Sequence, residues 1–375
     1  MESMTSRERI LAALSHKEPD RVPIDLGGTT ASTIVVDAYE NIKKHLGLKH
    51  ENKLRAFRAQ TVIPDDTVLD LLGVDTRPLL LNDFPNTNSD KAQKNSFVDP
   101  WGTTWEKSPD GHYINVNGPF QNSDPNIELL ESYKWPNPDD PKIYLGLKER
   151  ADHLRKNTDC AIILNLPLGF VHQCQFMRGF SEWLTDLIAF PEFAQRLIDI
   201  TSSIWIRVAQ NALDIVGAAI DIIEWGDDVA MQQGPLFNPD MYRKIIKPVH
   251  RKMMEALRSK SDARILYHSC GSVELFIEDF IEMGIDAINP VQVTAKNMNP
   301  SDLKRKYGER VAFWGGIDTQ HILPSGTTSE VRAEVRRICR ILGRNGGYIL
   351  AAVHNIQRDV LPENILAMFD EAKLA

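Results

Sequence analysis

The sequence predicts a (β/α)8 barrel, and two patterns carry that prediction. Short apolar runs recur along the chain: "VPIDLGG" from Val22, "DTRPLLL" from Asp75, "AIILNLPLG" from Ala161, "IDIIEWGDD" from Ile220, "RILYHSCG" from Arg264, "IDAINPVQ" from Ile285, "VAFWGGID" from Val311 and "GYILAAVHN" from Gly347. Amphipathic helical patterns separate the later runs, the longest being "PEFAQRLIDITSSIWIRVAQNALDIVG" from Pro191. Continuous apolar strands alternating with helices form a parallel sheet covered on its outer face. Eight such units close it into a barrel, whereas six or seven would suit a doubly wound open sheet.

Each further element has a local reason. Thr5 and Glu8 are spaced as a capping box, and Ile10, Leu11 and Leu14 follow at helical spacing, so the chain opens with a helix. Residues 83 to about 143 break the rhythm, being rich in Asn, Asp and Pro. Within them "DPWGTTWEKSPDGHYINVNGPF" predicts a β-hairpin turning at Ser108-Pro109-Asp110-Gly111. This segment reads as an insertion on a single barrel domain spanning 1–375, placed to cover the barrel mouth or to form an oligomer contact, a homodimer among the options.

Composition narrows the function. Of 375 residues, 42% are hydrophobic and 25% charged, the balance of a globular protein. A net charge of −8 supplies no basic stripe for phosphates and argues against nucleic-acid binding. "MESMTSRERILAALSHKEPD" is too polar for a secretory signal, and no run of 18 apolar residues offers a membrane span. The four cysteines, Cys160, Cys174, Cys270 and Cys339, have no framework spacing. They are expected as reduced thiols in a cytoplasmic protein.

In a barrel the residues that do chemistry sit at the carboxyl ends of the strands. There the later runs place Asn165; Glu224, Asp227 and Asp228; His268 and Cys270; Asn289 and Gln292; Asp318; and His354 with Asn355. His268 and Cys270 are two apart, so on an extended strand they share a side. Imidazole beside thiolate suits Zn²⁺, with Glu224 and His354 as candidates to complete the ligand set. The plainer alternative is a packed cysteine and a histidine bonded to a nearby carbonyl. Asp227 and Asp228 read either as helix caps or as site residues. Asp318 and Asn289 suit rim hydrogen bonds, and Trp225, Trp314 and Phe237 suit either packing or a pocket wall. Asn165, Asp227, Asn289 and Gln292 are the candidates for binding substrate.

At these residues the chain resembles the uroporphyrinogen decarboxylase superfamily, in particular its zinc- and cobalamin-dependent methyltransferase branch. "RERILAALSHKEPDRVPIDLGG", "GDDVAMQQGPLFNPDMYRKIIKP", "YHSCGSVELFIEDFIEMGIDAINPVQ" and "GGYILAAVHNIQRDVLPENILAMFDEA" carry the likeness through nearly the whole chain. The resemblance implies a (β/α)8 barrel. It also implies that His268 and Cys270 match the branch's His-x-Cys ligand pair and that Glu224 falls where the superfamily keeps an acidic residue near the site. His354 stands where the methyltransferases keep a cysteine and the decarboxylases a histidine. That leaves His354 open as a zinc ligand or a substrate contact. The decarboxylases' arginine-bearing opening loop is replaced by "DLGGTTAST", which argues against a polycarboxylated porphyrinogen.

The expectation is therefore a zinc-dependent methyltransferase. It would move a methyl group between a small molecule and a corrinoid (cobalamin), with Glu224 and His354 as catalytic residues. The D-x-H-x-x-G signature of corrinoid domains is absent from the chain, so the corrinoid is expected on a separate protein. The alternative is a metal-free decarboxylase of a small carboxylic acid, with His354 and Glu224 as its acid–base pair.

Overall fold

A computed structural model of the protein describes residues 3–85, 95–109, 111–167 and 169–375. Seven strands form one all-parallel sheet: β1 (Thr76–Leu80), β2 (Ala161–Asn165), β3 (Ile222–Gly226), β4 (Arg264–His268), β5 (Ala287–Asn289), β6 (Ala312–Ile317) and β7 (Tyr348–Ala352). Each pairs with its neighbours in sequence, so the order runs β7 to β1 without a crossover. This is the ordering of a (β/α)8-type barrel.

The run from Val22 takes the eighth position of the barrel and closes the sheet without becoming a regular strand. Leu350 donates to Pro23 O and Asp25 donates to Leu350 O, each at 2.8 Å. On the other side Asp75 donates to Ile24 O at 2.8 Å. The segment stops at a bridge because its donors are missing or spent. Pro23 has no N–H, Ile24 gives its N–H to the Asp75 carboxylate at 2.8 Å, and Gly27 turns away at φ 77°.

The opening helix, Ser6–Leu14, forms with the expected Thr5–Glu8 capping box. Its Ile10, Ala13 and Leu14 pack with Ala161, Ile163, Ile222, Leu266, Ala287, Ala312, Trp314, Ile349 and Ala351 in one buried cluster. The barrel interior is thus filled by alternate strand residues, with the helix as a plug at one end. The same two-residue period fixes what comes next. Two positions beyond Ile163, Ile222, Leu266 and Ala287 stand Asn165, Glu224, His268 and Asn289, a polar layer over an apolar one. Trp314 belongs to the packed interior. Trp225 and Phe237 are buried in the larger core outside the barrel, so all three aromatics are packing residues.

The expected hairpin forms the last two strands of a three-stranded antiparallel sheet, Ser96–Val98, Thr104–Lys107 and Tyr113–Asn117. Asp110 of its turn lies outside the described residues, as do 86–94. The sheet lies over the carboxyl ends of the strands. Trp105 stacks edge-on against Phe176, on the helix after β2, at 4.9 Å. His112 Nε2 sits 3.1 Å from Gln357 Oε1, in the loop after β7. Among the described residues no helix is long and apolar enough to cross a membrane.

Candidate active site

The strand ends bring Asp228, His268 and Cys270 together, with one ligand atom from each lying within 4.8 Å of the others. His268 ends β4 and points inward. Its Nδ1 is 2.7 Å from Asn289 Oδ1, so Nδ1 carries the proton and Nε2 keeps its lone pair facing the cluster. Cys270 Sγ lies 3.5 Å from that Nε2. The Cys270 amide donates to Asp228 Oδ1 at 2.7 Å, and Oδ1 is 3.9 Å from His268 Nε2. Gly271, at φ 91°, then turns the chain so close to Met231 that a Cβ would meet its carbonyl oxygen at 2.7 Å. The Gly271 amide donates to Gln292 Oε1 at 2.7 Å. Asn289 and Gln292, the candidates for binding substrate, thus both contact the His-x-Cys segment.

Asp227 and Asp228 divide the work. Asp227 is fully buried and receives the amides of Val171 at 2.8 Å and His172 at 3.1 Å. These belong to the first turn of helix Phe170–Arg178, where unpaired amides attract an anion. Asp227 therefore caps the helix after β2, across the barrel rim, rather than the helix that follows its own strand. The packing needs Gly169, whose Cβ would lie 2.2 Å from Asp227 Cγ. The His172 ring bridges the pair, with Nδ1 3.0 Å from Asp227 Oδ1 and Nε2 3.3 Å from Asp228 Oδ2. Buried His250 lies behind Asp227 at 3.4 Å.

Charge follows from these contacts. Burial opposes a charge on His172, but its bonds to Asp227 and Asp228 outweigh it and raise its pKa to about 10. Burial alone would raise both carboxyls; His172 instead holds Asp227 and Asp228 below the usual range. Burial, then the Asp228 charge, pushes the Cys270 thiol well above its ordinary value. A thiolate beside Asp228 is thus unfavourable without a cation. A soft sulfur, an imidazole with its lone pair free and an ionised carboxylate form a donor set that fits Zn²⁺.

Glu224 and His354 lie outside that cluster. Glu224 is buried at the end of β3, and both its oxygens accept the Thr30 amide at 2.9 Å while Oε2 also accepts Thr30 Oγ1 at 3.1 Å. Burial raises its pKa, with the Arg55 guanidinium opposing. Trp225 occupies the opposite side of the strand, so the burial comes from the barrel interior. His354 stands at the rim with its ring centroid 6.4 Å from that of His268. Desolvation by the surrounding protein lowers its pKa, which favours the neutral ring.

Glu224 also anchors a strap. Residues 26–33 cross the mouth, held by Asp25, which accepts from the Gly28 amide, Ser32, Thr76 and Trp314. Asn355 accepts the Thr33 amide at 2.9 Å, and Asn165 donates to Gly28 O at 2.9 Å. Arg55, from the hairpin at 53–63, donates to Gly27 O at 2.6 Å and to Asn165 Oδ1. The strap itself lacks an arginine, yet the fold brings one beneath it. Asp318 stays at the rim, accepting the Gln320 amide at 2.7 Å. Sequence reasoning missed His172, Arg55 and Thr30 and did not group Asp228 with His268 and Cys270. The paired aspartates at the end of β3 were the one visible signal.

A barrel with a plugged base and an ionisable cluster at the carboxyl ends of its strands has the architecture of an enzyme. The chain belongs to the uroporphyrinogen decarboxylase family, whose model matches residues 154–374. It is similar to the uroporphyrinogen decarboxylase of Pseudoalteromonas translucida, 28% identical over 162 residues, 42% of this chain and 44% of that protein. A second relative, from Thioalkalivibrio sulfidiphilus, is 25% identical over 146 residues, 38% of this chain and 39% of that protein. The chain therefore matches less than half the length of these curated relatives. Among solved structures, a methyltransferase from Methanosarcina mazei shares the fold, with a TM-score of 0.67, 18% identity and 99% of each chain covered.

Proposed function

We propose that this protein is a zinc-dependent methyltransferase that moves a methyl group between a small substrate and a corrinoid carried on a separate protein. The observation that carries the reading is the Asp228–His268–Cys270 cluster, a nitrogen, a sulfur and an oxygen converging at the carboxyl end of the barrel. The whole-chain likeness to a methyltransferase adds support. Asp228, His268 and Cys270 would hold the zinc, and His354 is the nearby neutral imidazole available as a further ligand or a substrate contact. Bound zinc supplies Lewis acidity, either lowering a thiol's pKa or polarising a methyl–oxygen or methyl–nitrogen bond.

The remaining residues prepare the site. Asn289 sets the tautomer and plane of His268. Gln292 and Gly271 fix the turn that presents Cys270. Glu224 and Asp25 hold the strap across the mouth. The test is metal content together with methyl transfer to or from cobalamin. A metal-replete preparation without zinc and without transfer sinks the reading.

One observation favours a second reading, a metal-free decarboxylase of a small acid. Arg55 lies against Asn165 and near Glu224 at the top of the barrel, where a cation would suit a substrate carboxylate. Carbon dioxide release by chelator-treated protein separates this reading from the first.

A further inference from the structure

We infer that His172 is the positioning residue of the metal centre, holding Asp228 in the orientation from which its carboxylate faces His268 and Cys270. The inference rests on the zinc reading above. Both ring nitrogens of His172 meet carboxylates, Asp227 at 3.0 Å and Asp228 at 3.3 Å. The ring cannot follow Asp228 if that side chain turns. Its backbone is pinned by the Val171 and His172 amides on Asp227, and Asp227 is backed by His250. Asp228 has no comparable anchor of its own. It lies in the loop after β3, half-buried, with Oδ1 on the Cys270 amide and Oδ2 on His172. Without His172, Oδ2 has no described partner and the carboxylate is free to rotate about the remaining bond. His172 also places a proton-donating ring beside the anions that the metal must join. Hydrogen bonds of this kind, one step out from the metal, set ligand orientation and commonly change affinity by about 10–100-fold.

The test compares metal-free wild type, His172→Ala, His172→Gln, Asp227→Asn and the double variant His172→Ala with Asp227→Asn. Zinc affinity is read by competition with a chromophoric chelator, and cobalt(II) absorption reports the coordination. The expected result is about 10–100-fold weaker zinc binding in His172→Ala with altered cobalt bands. Asp227→Asn shifts both in the same direction, and the double variant adds little. Thermal unfolding of the metal-free proteins shows which are folded. Should His172→Ala fail to fold, His172→Gln carries the comparison, with a smaller loss expected because it keeps one donor. Unchanged affinity and unchanged bands in a folded variant overturn the inference while leaving the zinc reading intact. A wild type that binds neither ion overturns the zinc reading and this inference with it.

Discussion

Asn289 Oδ1 stands 2.7 Å from His268 Nδ1, and this one contact decides which histidine nitrogen faces the cluster. Asn289 is buried at the end of β5, one strand along from His268, and the two are paired in register. With Nδ1 protonated toward Asn289, Nε2 faces Cys270 and Asp228 as a lone pair. Asn289→Ala removes the acceptor and frees the ring. Zinc affinity is expected to fall about tenfold or more, with little change in the unfolding temperature of the metal-free protein. Chelator competition measures it, and affinity equal to wild type shows that the tautomer is set by something else.

The cluster itself makes a stoichiometric prediction. Purified, metal-replete protein is expected to hold about one zinc per chain, as a single site requires. His268→Ala, Cys270→Ala and Asp228→Ala are each expected to lose most of it. Elemental analysis reads the result. Retention by Asp228→Ala with loss by the other two would move the third position to His354.

Part of this site was legible because strands have a period of two. Ile163, Ile222, Leu266 and Ala287 pack inward, so Asn165, Glu224, His268 and Asn289 must follow them inward as polar residues above the core. The roles were harder to read. Asn289 and Gln292 read from the sequence as candidates for binding substrate; their contacts to His268 and the Gly271 amide appear only once the two strand ends are laid side by side. His172 sits in "FVHQC" without any motif. Its importance appears only when the first turn of its helix meets Asp227 from another strand. The eighth barrel position was legible as an apolar run, but its shortness depends on Asp75 taking the Ile24 amide.

The base of the barrel gives a pH prediction. Asp20 receives Arg9 Nε at 2.6 Å. That hydrogen bond, with burial opposing, lowers its pKa from 3.8 to about 2. The folded-state value is the lower one, so the unfolded chain binds more protons between these values. The contribution is complete above about pH 4 and is lost as pH falls toward 2. Asp20→Asn lacks this titration. Wild type is expected to lose about 1 kcal/mol more than Asp20→Asn between pH 4 and 2, allowing for solvent screening. Denaturant unfolding across that window measures the difference, and parallel curves would remove Asp20 from the acid response.

Glu224 was expected at the metal, and its contacts point to a different experiment. Both carboxylate oxygens accept the Thr30 amide and one accepts the Thr30 hydroxyl. Arg55 lies close enough to oppose the rise in its pKa. Glu224→Gln keeps the shape but exchanges one acceptor for a donor. Whichever way the amide turns, its NH₂ group would face the Thr30 N–H, donor against donor, and only its oxygen would still accept that amide. A charge-assisted bond of this kind is worth about 1.5–3 kcal/mol, so the strap between Gly27 and Thr33 is expected to loosen. Zinc content should stay full, because the ligand atoms of Asp228, His268 and Cys270 are untouched. Methyl transfer should fall, and protease cleavage within residues 26–33 should quicken. Loss of zinc together with activity would restore Glu224 as a ligand. Full activity with an unchanged cleavage rate would mean that Asp25 and Asn355 hold the strap without it.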